Sequence, residues 1–276
     1  MGRSTKQIPG GTAYYSSLAL KRLGLDVVVV TKAAGKDRDF LMRELGKEQV
    51  AVVCREGGVS TSFENVYRDG NLDSRVQRIR TVGAPFSSDD LEGVSAASYH
   101  VGPLTNRDIS LDLLEALSAG ASTVSLDVQG MLRAAREGPV REMDWPEKRQ
   151  ALPYVDILKA DEKEAKILSG EETEKAAAVA VSSMGPREVL VTMGSRGSWV
   201  YAENALHEIP AFKPERLGDP TGCGDTYAAG YLYQRLKGKA PEQAGRFAAA
   251  VAALKLEGDG PFRGTESEVY ARLSTA

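Results

Sequence analysis

The chain has 276 residues, of which 42% are hydrophobic and 26% are charged. This length allows one large domain or two small ones, and this composition is that of a globular protein rather than a disordered, collagen-like or coiled-coil chain. The 35 Lys and Arg residues against 38 Asp and Glu residues give a formal net charge of -3. Such a balance gives no electrostatic reason to expect nucleic acid or an anionic membrane as a partner.

The cysteines and the apolar runs indicate the compartment. Cys54 and Cys223 are too few and too far apart in the sequence for a disulfide framework or for paired zinc ligands. The longest apolar run, residues 247–254, is far shorter than the ~20 residues that span a bilayer. No apolar stretch of a signal peptide follows the first residues. We therefore expect a cytoplasmic protein that does not enter a membrane.

Predicted helices and strands alternate along most of the chain. In chain order, the pattern predicts a helix at 12–23, a strand at 27–31, a helix at 36–46, a strand at 97–101, a helix at 109–119, strands at 123–127 and 155–159, helices at 162–169 and 175–184, a strand at 189–192 and a helix at 222–237. A last helix is indicated by helical spacing of Ala244, Phe247, Ala248, Val251 and Ala252. This alternation predicts a mostly parallel sheet with helices on both faces.

Residues 50–82 interrupt the alternation, because they hold three strand-like runs and no helical pattern. The runs are 50–55, 60–67 and 75–82, and Arg68-Asp69-Gly70-Asn71 between the last two is typical of a hairpin turn. We interpret the segment as a small antiparallel flap inserted into a single domain that spans residues 1–276; an edge extension of the main sheet is the alternative. Because the last two runs are only half apolar, we expect the flap to cover a substrate or to form a homodimer interface.

The most specific pattern is Gly-Asp-Pro-Thr-Gly-Cys-Gly-Asp-Thr at residues 218–226, where the predicted long helix begins. Glycines allow the backbone to approach a ligand closely, and the start of a helix attracts anions such as phosphate. Asp225 would repel a phosphate, but it can accept the proton of a hydroxyl that attacks one. The alternative is a capped helix whose dipole Asp225 offsets. A thiol at this position, Cys223, is expected to have a lowered pKa and to be reactive if exposed.

Three further patterns each allow a ligand-binding role and a structural one. Gly10-Gly11-Thr12 opens a helix, with Thr12 as N-cap in the structural interpretation. The glycine-rich turn at 192–197 follows a strand and suits a nucleotide passing over backbone, or is simply a β-turn. Asp161 and Glu164 share a helix face after the strand that ends at Lys159. They can hold Mg²⁺ through water, or they form an acidic first turn.

Several enzyme classes are excluded by absent motifs. The sequence contains no P-loop motif, and no dinucleotide-binding fingerprint follows its first predicted strand. Its two histidines, His100 and His207, belong to no hydrolase or metalloprotease motif. We interpret both as strand residues without a catalytic role.

These patterns, in this order, resemble the ribokinase-like pfkB family of carbohydrate kinases from Pro9 onward. The resemblance implies a three-layer α/β fold, in which a mostly parallel central sheet lies between helices and carries a small antiparallel flap as a lid. It also implies a phosphotransferase with ATP as donor and Mg²⁺ as cofactor. The segments 10–17 and 127–130 look most similar to an inositol-kinase-like branch of the family.

The resemblance also assigns roles to individual residues. Asp225 corresponds to the catalytic base, and the backbone of Gly222, Cys223 and Gly224 corresponds to the anion hole for the transferred group. Glu164 corresponds to a glutamate that supports Mg²⁺. The positions on the ATP side are Lys159, Thr192, Gly194 and Gly197. The positions on the sugar side are Gly10 and Gly11.

The chain departs from the family pattern in three places. Asp161 stands where the family has asparagine, and Cys223 stands at a position that is usually small. Family members carry a strand before the double glycine, with an acidic residue that holds the sugar, and no residue before Pro9 shows that pattern. We expect either a shortened start or a different mode of substrate binding. In the second case Asp127, Gln129 and Arg133 are candidates for polar sugar contacts.

The sequence thus predicts an ATP-dependent, Mg²⁺-requiring kinase that acts on a hydroxyl of a small sugar or polyol. A nucleoside kinase of the same fold is the nearest alternative, with a base slot that Tyr14, Tyr15, Phe63 or Tyr67 could provide. A non-catalytic protein that binds a nucleotide or a sugar is the alternative from another class.

Overall fold

The computed structural model describes residues 7–67, 75–120 and 122–274. The strands are β1 (Val28–Ala33), β2 (Ala51–Glu56), β3 (Ser62–Tyr67), β4 (Arg75–Thr81), β5 (Ser98–Val101), β6 (Thr123–Asp127), β7 (Gly138–Pro139), β8 (Ile157–Asp161), β9 (Glu188–Thr192), β10 (Ser198–Ala202) and β11 (Ala205–Ile209). The α-helices are α1 (Thr12–Arg22), α2 (Gly35–Gly46), α3 (Leu111–Ser118), α4 (Lys148–Ala151), α5 (Glu162–Ser169), α6 (Glu174–Ser182), α7 (Cys223–Leu236), α8 (Pro241–Leu256) and α9 (Glu266–Ser274).

Six of the described strands form the main sheet, in the order β11-β10-β9-β8-β6-β5. Strands β5, β6, β8 and β9 are parallel, and β10 and β11 continue the sheet in antiparallel pairing at one edge. Parallel strands between two helical layers need apolar side chains on both faces. Val189, Leu190 and Val191 of β9 meet this need, since each is at most 1% exposed. The mostly parallel α/β sheet predicted from the sequence is confirmed.

Helices cover both faces of this sheet. On one face α7 and α8 pack against β9, β10 and β11, and on the other face α3, α5 and α6 form the second apolar cluster. The two helices α7 and α8 approach closely at Gly230, where a Cβ atom would lie 3.1 Å from the Cα of Ala248. No helix within the described residues is both long enough and apolar enough to cross a bilayer.

The flap is smaller than predicted, because its first expected strand belongs elsewhere. Strand β2 pairs in parallel with β1 and not in the flap. The reason is the helix α2, which joins β1 to β2 as a crossover connection, and such connections produce parallel pairs. Strands β3 and β4 do form an antiparallel hairpin, which β7 extends. The turn predicted at residues 68–71 lies outside the described residues.

A buried ion pair fastens α7 to the main sheet. Glu188 opens β9 and is only 9% exposed. Its carboxylate accepts a hydrogen bond from the Tyr231 hydroxyl at 2.5 Å and another from Nη2 of Arg235 at 2.6 Å. Removing one partner of such a pair leaves the other charge poorly solvated, which costs more than the pair contributes when intact.

We expect Glu188→Ala to lower the free energy of unfolding by about 2–3 kcal/mol, because Arg235 and Tyr231 then lose their buried acceptor. Urea unfolding followed by circular dichroism measures this loss. Glu203→Ala is the matched control, because Glu203 lies 3.6 Å from the same Arg235 but has a side chain that is 70% exposed. Exposed pairs contribute about 0–1 kcal/mol. Equal losses in the two variants would contradict this account of α7 docking.

Candidate active site

A cleft opens where the carboxyl ends of parallel strands meet the N-termini of α1 and α7. The carboxyl edge of a parallel sheet is where open α/β folds bind ligands. The cleft belongs to a cavity of about 1150 Å³. It brings together most of the predicted site residues, namely Gly10, Gly11, Gln129, Arg133, Lys159, Thr192, Gly222, Gly224 and Asp225. Cys223, Glu164, Gly194 and Gly197 are not part of its lining.

Asp225 lies in the first turn of α7 and is held by the start of α1. The Thr12 hydroxyl donates a hydrogen bond to Oδ1 of Asp225 at 2.8 Å, and the Ser16 hydroxyl donates to its backbone oxygen at 2.9 Å. Burial and the nearby charge of Asp127 raise the pKa of Asp225 to about 6, against the lowering influence of the Thr12 hydrogen bond and of Lys159. A carboxyl group of this pKa is suited to accept a proton near neutral pH.

Two of the three predicted anion-hole residues have available backbone amides. Gly222 is the N-cap of α7, and neither its amide nor that of Gly224 has a hydrogen-bond acceptor within the described residues. The first amides of a helix have no partner inside the helix. The amide of Cys223 differs, because it donates to the Pro220 carbonyl at 3.1 Å. The geometry therefore leaves the amides of Gly222 and Gly224 for a phosphate oxygen.

The prediction of a lowered thiol pKa at Cys223 is wrong. Burial raises the pKa of this thiol, and the charges of Asp219 and Asp225 add to the effect, while Lys255 opposes it. The sequence shows that Cys223 begins a helix, but it does not show how little water reaches the thiol. We therefore expect a poorly reactive cysteine at this position.

The buried side chain of Lys159 lies close to two carboxylates, those of Asp127 and Glu164. Nζ of Lys159 lies 3.1 Å from Oδ2 of Asp127 and 3.8 Å from Oε2 of Glu164. Burial alone would lower the pKa of Lys159, but the negative charges of Asp127 and Glu164 outweigh burial and raise it. The lysine is therefore a fixed positive charge at the end of β8. A Cβ atom on Gly224 would lie 3.1 Å from Nζ, so the lysine also lies directly under the start of α7.

Glu164 has a structural role at the start of α5, as its position in the sequence allowed. Its Oε2 accepts a hydrogen bond from the Asp161 amide at 2.7 Å, and the Glu164 amide donates to Oδ1 of Asp161 at 2.8 Å. This reciprocal pair is a capping box at the start of α5. These contacts are those of the structural interpretation, in which the two residues form an acidic first turn. Asp161 also lines the cleft.

The turn predicted for the donor side follows β9; its first residue, Thr192, lines the cleft, whereas Gly194 and Gly197 do not. Thr192 ends the strand and donates to the Ala160 carbonyl at 3.4 Å. Gly194 and Gly197 both have positive φ angles, of 59° and 89°. At Gly197 a Cβ atom would lie 2.1 Å from the carbonyl oxygen of Ile209, so this glycine is required for the packing of the turn against β11.

The sequence offered Asp127 as a candidate sugar contact but not as a charge partner of Lys159, and it gave His100 no role in the site. Asp127 ends β6, is 5% exposed and forms the ion pair with Lys159. An acidic residue at the end of a predicted buried strand was the available signal. His100 lines the same cavity, with Nδ1 at 3.0 Å from the Ser125 hydroxyl and a buried Nε2 that has no partner within the described residues. Burial lowers the pKa of His100 to about 4, so the ring is neutral near pH 7.

The flap hairpin contributes side chains to the cleft wall. Phe63 and Asn65 of β3 and Gln77 of β4 line the cavity. The guanidinium of Arg133 lies 5.7 Å from the centre of the Phe63 ring. The flap and the segment after β6 therefore meet over the end of the cleft that holds Gln129 and Arg133.

Comparisons with known proteins extend over nearly the whole chain. A profile of "pfkB family carbohydrate kinase" sequences matches residues 2–266. A cytidine kinase of Thermococcus kodakarensis is 28% identical over 246 residues, which are 86% of this chain and 83% of that protein. An uncharacterized sugar kinase of Archaeoglobus fulgidus is 29% identical over 264 residues, which are 91% of this chain and 100% of that protein.

A solved structure is similar over the same extent. It is a pyrophosphate-dependent kinase of the ribokinase family in complex with a pyrophosphate analog and myo-inositol. The two structures superimpose with a TM-score of 0.84 at 27% sequence identity, and the match covers 95% of this chain and 91% of the other.

Gly222 offers a direct test of the anion-binding turn. Its φ angle is 82°, and a Cβ atom would lie 2.2 Å from the ring of Tyr15. We expect Gly222→Ala to lower the free energy of unfolding by about 2 kcal/mol or more, from backbone strain and the clash together. Gly258→Ala is the control, because a Cβ atom there meets nothing within 4 Å. Thermal unfolding that is equal for both variants would contradict the close packing of this turn on α1.

Proposed function

This chain belongs to the pfkB family of carbohydrate kinases, and we propose that it transfers the γ-phosphoryl group of ATP to a hydroxyl of a small sugar or polyol with Asp225 as general base. Family membership makes it a phosphotransferase with a hydroxyl acceptor, which sets aside the non-catalytic alternative. The resemblance noted in the sequence and the ribokinase-like fold are thereby confirmed.

The observation that carries the proposal is the position of Asp225. Its carboxylate lies partly buried in the cleft, its pKa is raised to about 6, and its Oδ1 is oriented by the hydroxyl of Thr12. A base in this position accepts the acceptor hydroxyl proton as that oxygen attacks the γ-phosphorus. The hydroxyl oxygen forms the new bond to phosphorus, and the bond to the β-phosphate oxygen breaks. The products are a phosphate ester and ADP, with the proton on Asp225.

The start of α7 supports the same reaction from the phosphate side. The amides of Gly222 and Gly224 are available, and the helix dipole adds a partial positive charge at this end. Donors fixed in advance toward developing negative charge are the main source of catalysis in phosphoryl transfer. Lys159 adds a full positive charge beneath Gly224.

The residues present fit a water-mediated magnesium site. Within the described residues, no three His, Cys, Asp or Glu side chains converge to hold a metal by themselves. Mg²⁺ needs only one or two carboxylates when waters and substrate phosphates complete its shell. Asp161 lines the cleft. Glu164 lies outside the lining, with Nζ of Lys159 3.8 Å from its Oε2, and would therefore reach the ion only through water. Bound there, the ion would neutralise charge on the donor phosphates.

The flap is proposed as a lid over the acceptor, within one kinase domain. Phe63, Asn65 and Gln77 face the cleft, and Phe63 stacks near Arg133. Closure would exclude water, which otherwise competes with the acceptor for the phosphoryl group. Gln129, Arg133, Gly10 and Gly11 are the proposed acceptor contacts. A homodimer through the flap is the alternative for this surface, and sedimentation of the purified protein distinguishes the two.

The relatives define the alternatives for donor and acceptor. The cytidine kinase favours a nucleoside acceptor, and Phe63 on the cleft wall gives an aromatic surface on which a base could stack. The structure solved with myo-inositol favours a polyol, and its dependence on pyrophosphate offers a second donor. Gly194 and Gly197, the glycines expected beside the nucleotide, lie outside the cleft lining. The cleft therefore offers clearer contacts for phosphate groups than for an adenine ring.

Asp225→Asn tests the base directly. We expect kcat to fall by roughly 10²–10⁴, the usual contribution of general base catalysis, with ATP affinity unchanged or slightly improved. In the parent protein, kcat/KM should rise with pH through about 6, where Asp225 loses its proton, and reach a plateau above that value. Asp225→Asn should lack this acidic limb. Initial rates from pH 5 to 8 measure both effects.

Asp219→Asn is the matched control, because Asp219 lies outside α7, where it accepts a hydrogen bond from the Thr221 amide at 2.9 Å. It should lose far less activity and keep the acidic limb of the pH profile. Near-full turnover of Asp225→Asn on the best acceptor would refute the assignment of the base.

A matrix of donors and acceptors tests the substrate classes. We expect ATP with Mg²⁺ to support phosphorylation of a polyol or sugar, with myo-inositol, ribose and fructose as representatives, more efficiently than of cytidine. Product formation is followed by phosphorus NMR, which distinguishes the ester formed. A higher kcat/KM with cytidine than with the sugars and polyols would identify a nucleoside as the acceptor. A higher kcat/KM with pyrophosphate than with ATP would identify pyrophosphate as the donor. The proposed role of Asp225 is the same in either case.

A further inference from the structure

Helix α8 carries a lysine whose side chain is turned into the protein. Lys255 lies in the last turn of α8 and is only 2% exposed. Its ammonium donates a hydrogen bond to the backbone oxygen of Asp219, in the loop that leads into α7. Nζ of Lys255 also lies 5.8 Å from the centre of the Tyr15 ring. Lys255 therefore connects the end of α8 to the loop before α7 and to α1.

The positive charge of Lys255 is only partly compensated. An ammonium has three N–H donors, and burying it without a counter-charge is costly. Within the part of the chain that the structure describes, Lys255 forms no ion pair with a carboxylate, whereas Lys159 has Asp127 and Glu164. The carboxyl end of α8 offers about half a negative charge at most, and the face of the Tyr15 ring adds a weak attraction. Part of the charge is therefore available to an anionic ligand.

The ammonium lies behind a turn whose other side faces the cleft. Residues 220–222 of this turn line the cleft, and Lys255 does not. On the cleft side, the amides of Gly222 and Gly224 are the donors available to a phosphate oxygen. The charge of Lys255 reaches the start of α7, because it opposes the rise that burial causes in the pKa of the Cys223 thiol. The lysine therefore acts on the cleft through the backbone of the turn.

Close packing of the backbone fixes the position of the loop that receives this hydrogen bond. The Gly218 amide donates to the carbonyl oxygen of Leu256 at 2.8 Å. A Cβ atom on Gly218 would lie 2.8 Å from the same oxygen, so a side chain there would push the loop away from α8. At Gly222 a Cβ atom would lie 2.2 Å from the Tyr15 ring, which is also the ring beside Lys255. One ring thus contacts both the turn and the region of the ammonium.

We propose that Lys255 is a positioning residue for the phosphate end of the site, where its buried charge stabilises, through the turn, a phosphate group bound at the amides of Gly222 and Gly224. This inference rests on the proposed function, because it requires that the turn bind a phosphate group. A charge behind the backbone attracts the anion without competing with the amides for its oxygens. In the anion-free protein the same charge lowers stability, which is a common consequence of functional groups that are poorly compensated.

Binding of inorganic pyrophosphate tests the inference without turnover. Pyrophosphate is titrated by calorimetry into the parent protein and into Lys255→Met, at low salt and without an acceptor, and hydrogen exchange of the amides in 222–226 locates the bound anion. Methionine keeps the length of the side chain and removes its charge. We expect the Kd to rise by roughly tenfold or more. The melting temperature without pyrophosphate should stay level or rise, because a partly compensated buried charge is gone.

Lys237→Met is the matched control. Nζ of Lys237 also lies beside a tyrosine ring, 4.8 Å from the centre of Tyr233, but it pairs with Glu266 at 2.8 Å and lies just after the opposite end of α7. This variant should bind pyrophosphate like the parent. An equal Kd for the parent and Lys255→Met would overturn the role of Lys255, whatever happens to the melting temperature.

Lys255→Gln separates the charge from the hydrogen bond, because glutamine keeps an N–H donor for the Asp219 oxygen without a positive charge. A Kd that rises in both the Gln and Met variants supports the charge. A Kd that rises only in Lys255→Met assigns the effect to the hydrogen bond and overturns the inference. Absence of pyrophosphate binding at 222–226 in the parent itself would refute the phosphate-binding turn of the proposed function, and the role of Lys255 with it.

Discussion

The buried ammonium of Lys159 is the charge on which the candidate active site depends. Three carboxylates lie around the end of β8: those of Asp127 and Glu164 are buried, and that of Asp225 is partly buried. A cluster of like charges in that position would be prohibitively costly without a cation. Lys159 contacts two of them and lies under the start of α7. One cation against three carboxylates still leaves an excess of negative charge. Burial is the main cause of the raised pKa of Asp225, and the negative charge of Asp127 adds to it.

Glycines distant in sequence determine how closely α1 and α7 approach the sheet. A side chain at Gly102 would occupy the position of the Thr12 hydroxyl, and one at Gly222 would occupy the Tyr15 ring. The Thr12–Asp225 hydrogen bond therefore exists only because two separate loops leave room for the same helix. The backbone thus fixes the orientation of the proposed general base, Asp225, through the side chain of Thr12 on α1. Gly102 and Gly222 therefore contribute to the geometry of the candidate site without doing chemistry.

One cavity extends from the cleft to β1, β5 and the flap, and Gly10-Gly11-Thr12 also lines it. The proposed acceptor end of the site therefore borders the flap and the strands β1 and β5, each of which has one paired neighbour within the described residues. The proposed phosphate end is built from β8 and β9, which are paired on both sides in the main sheet, and from α7. Differences in local stability between these two halves follow directly from this division.

The sequence by itself determined the alternation of helices and strands, the parallel sheet and the start of α7, because apolar periodicity and glycine placement are local signals. It also placed Asp225 in the first turn of that helix. It did not determine the partner of residues 51–56, because pairing depends on a crossover and not on the strand's own pattern. It gave the wrong direction for the Cys223 pKa, and it gave no role to His100. Both depend on burial, which is a property of the neighbours. Only the tertiary structure decided that Thr12, Asp127, Lys159 and Asp225 share one cleft, since residues more than 200 positions apart meet where strand ends and helix starts converge.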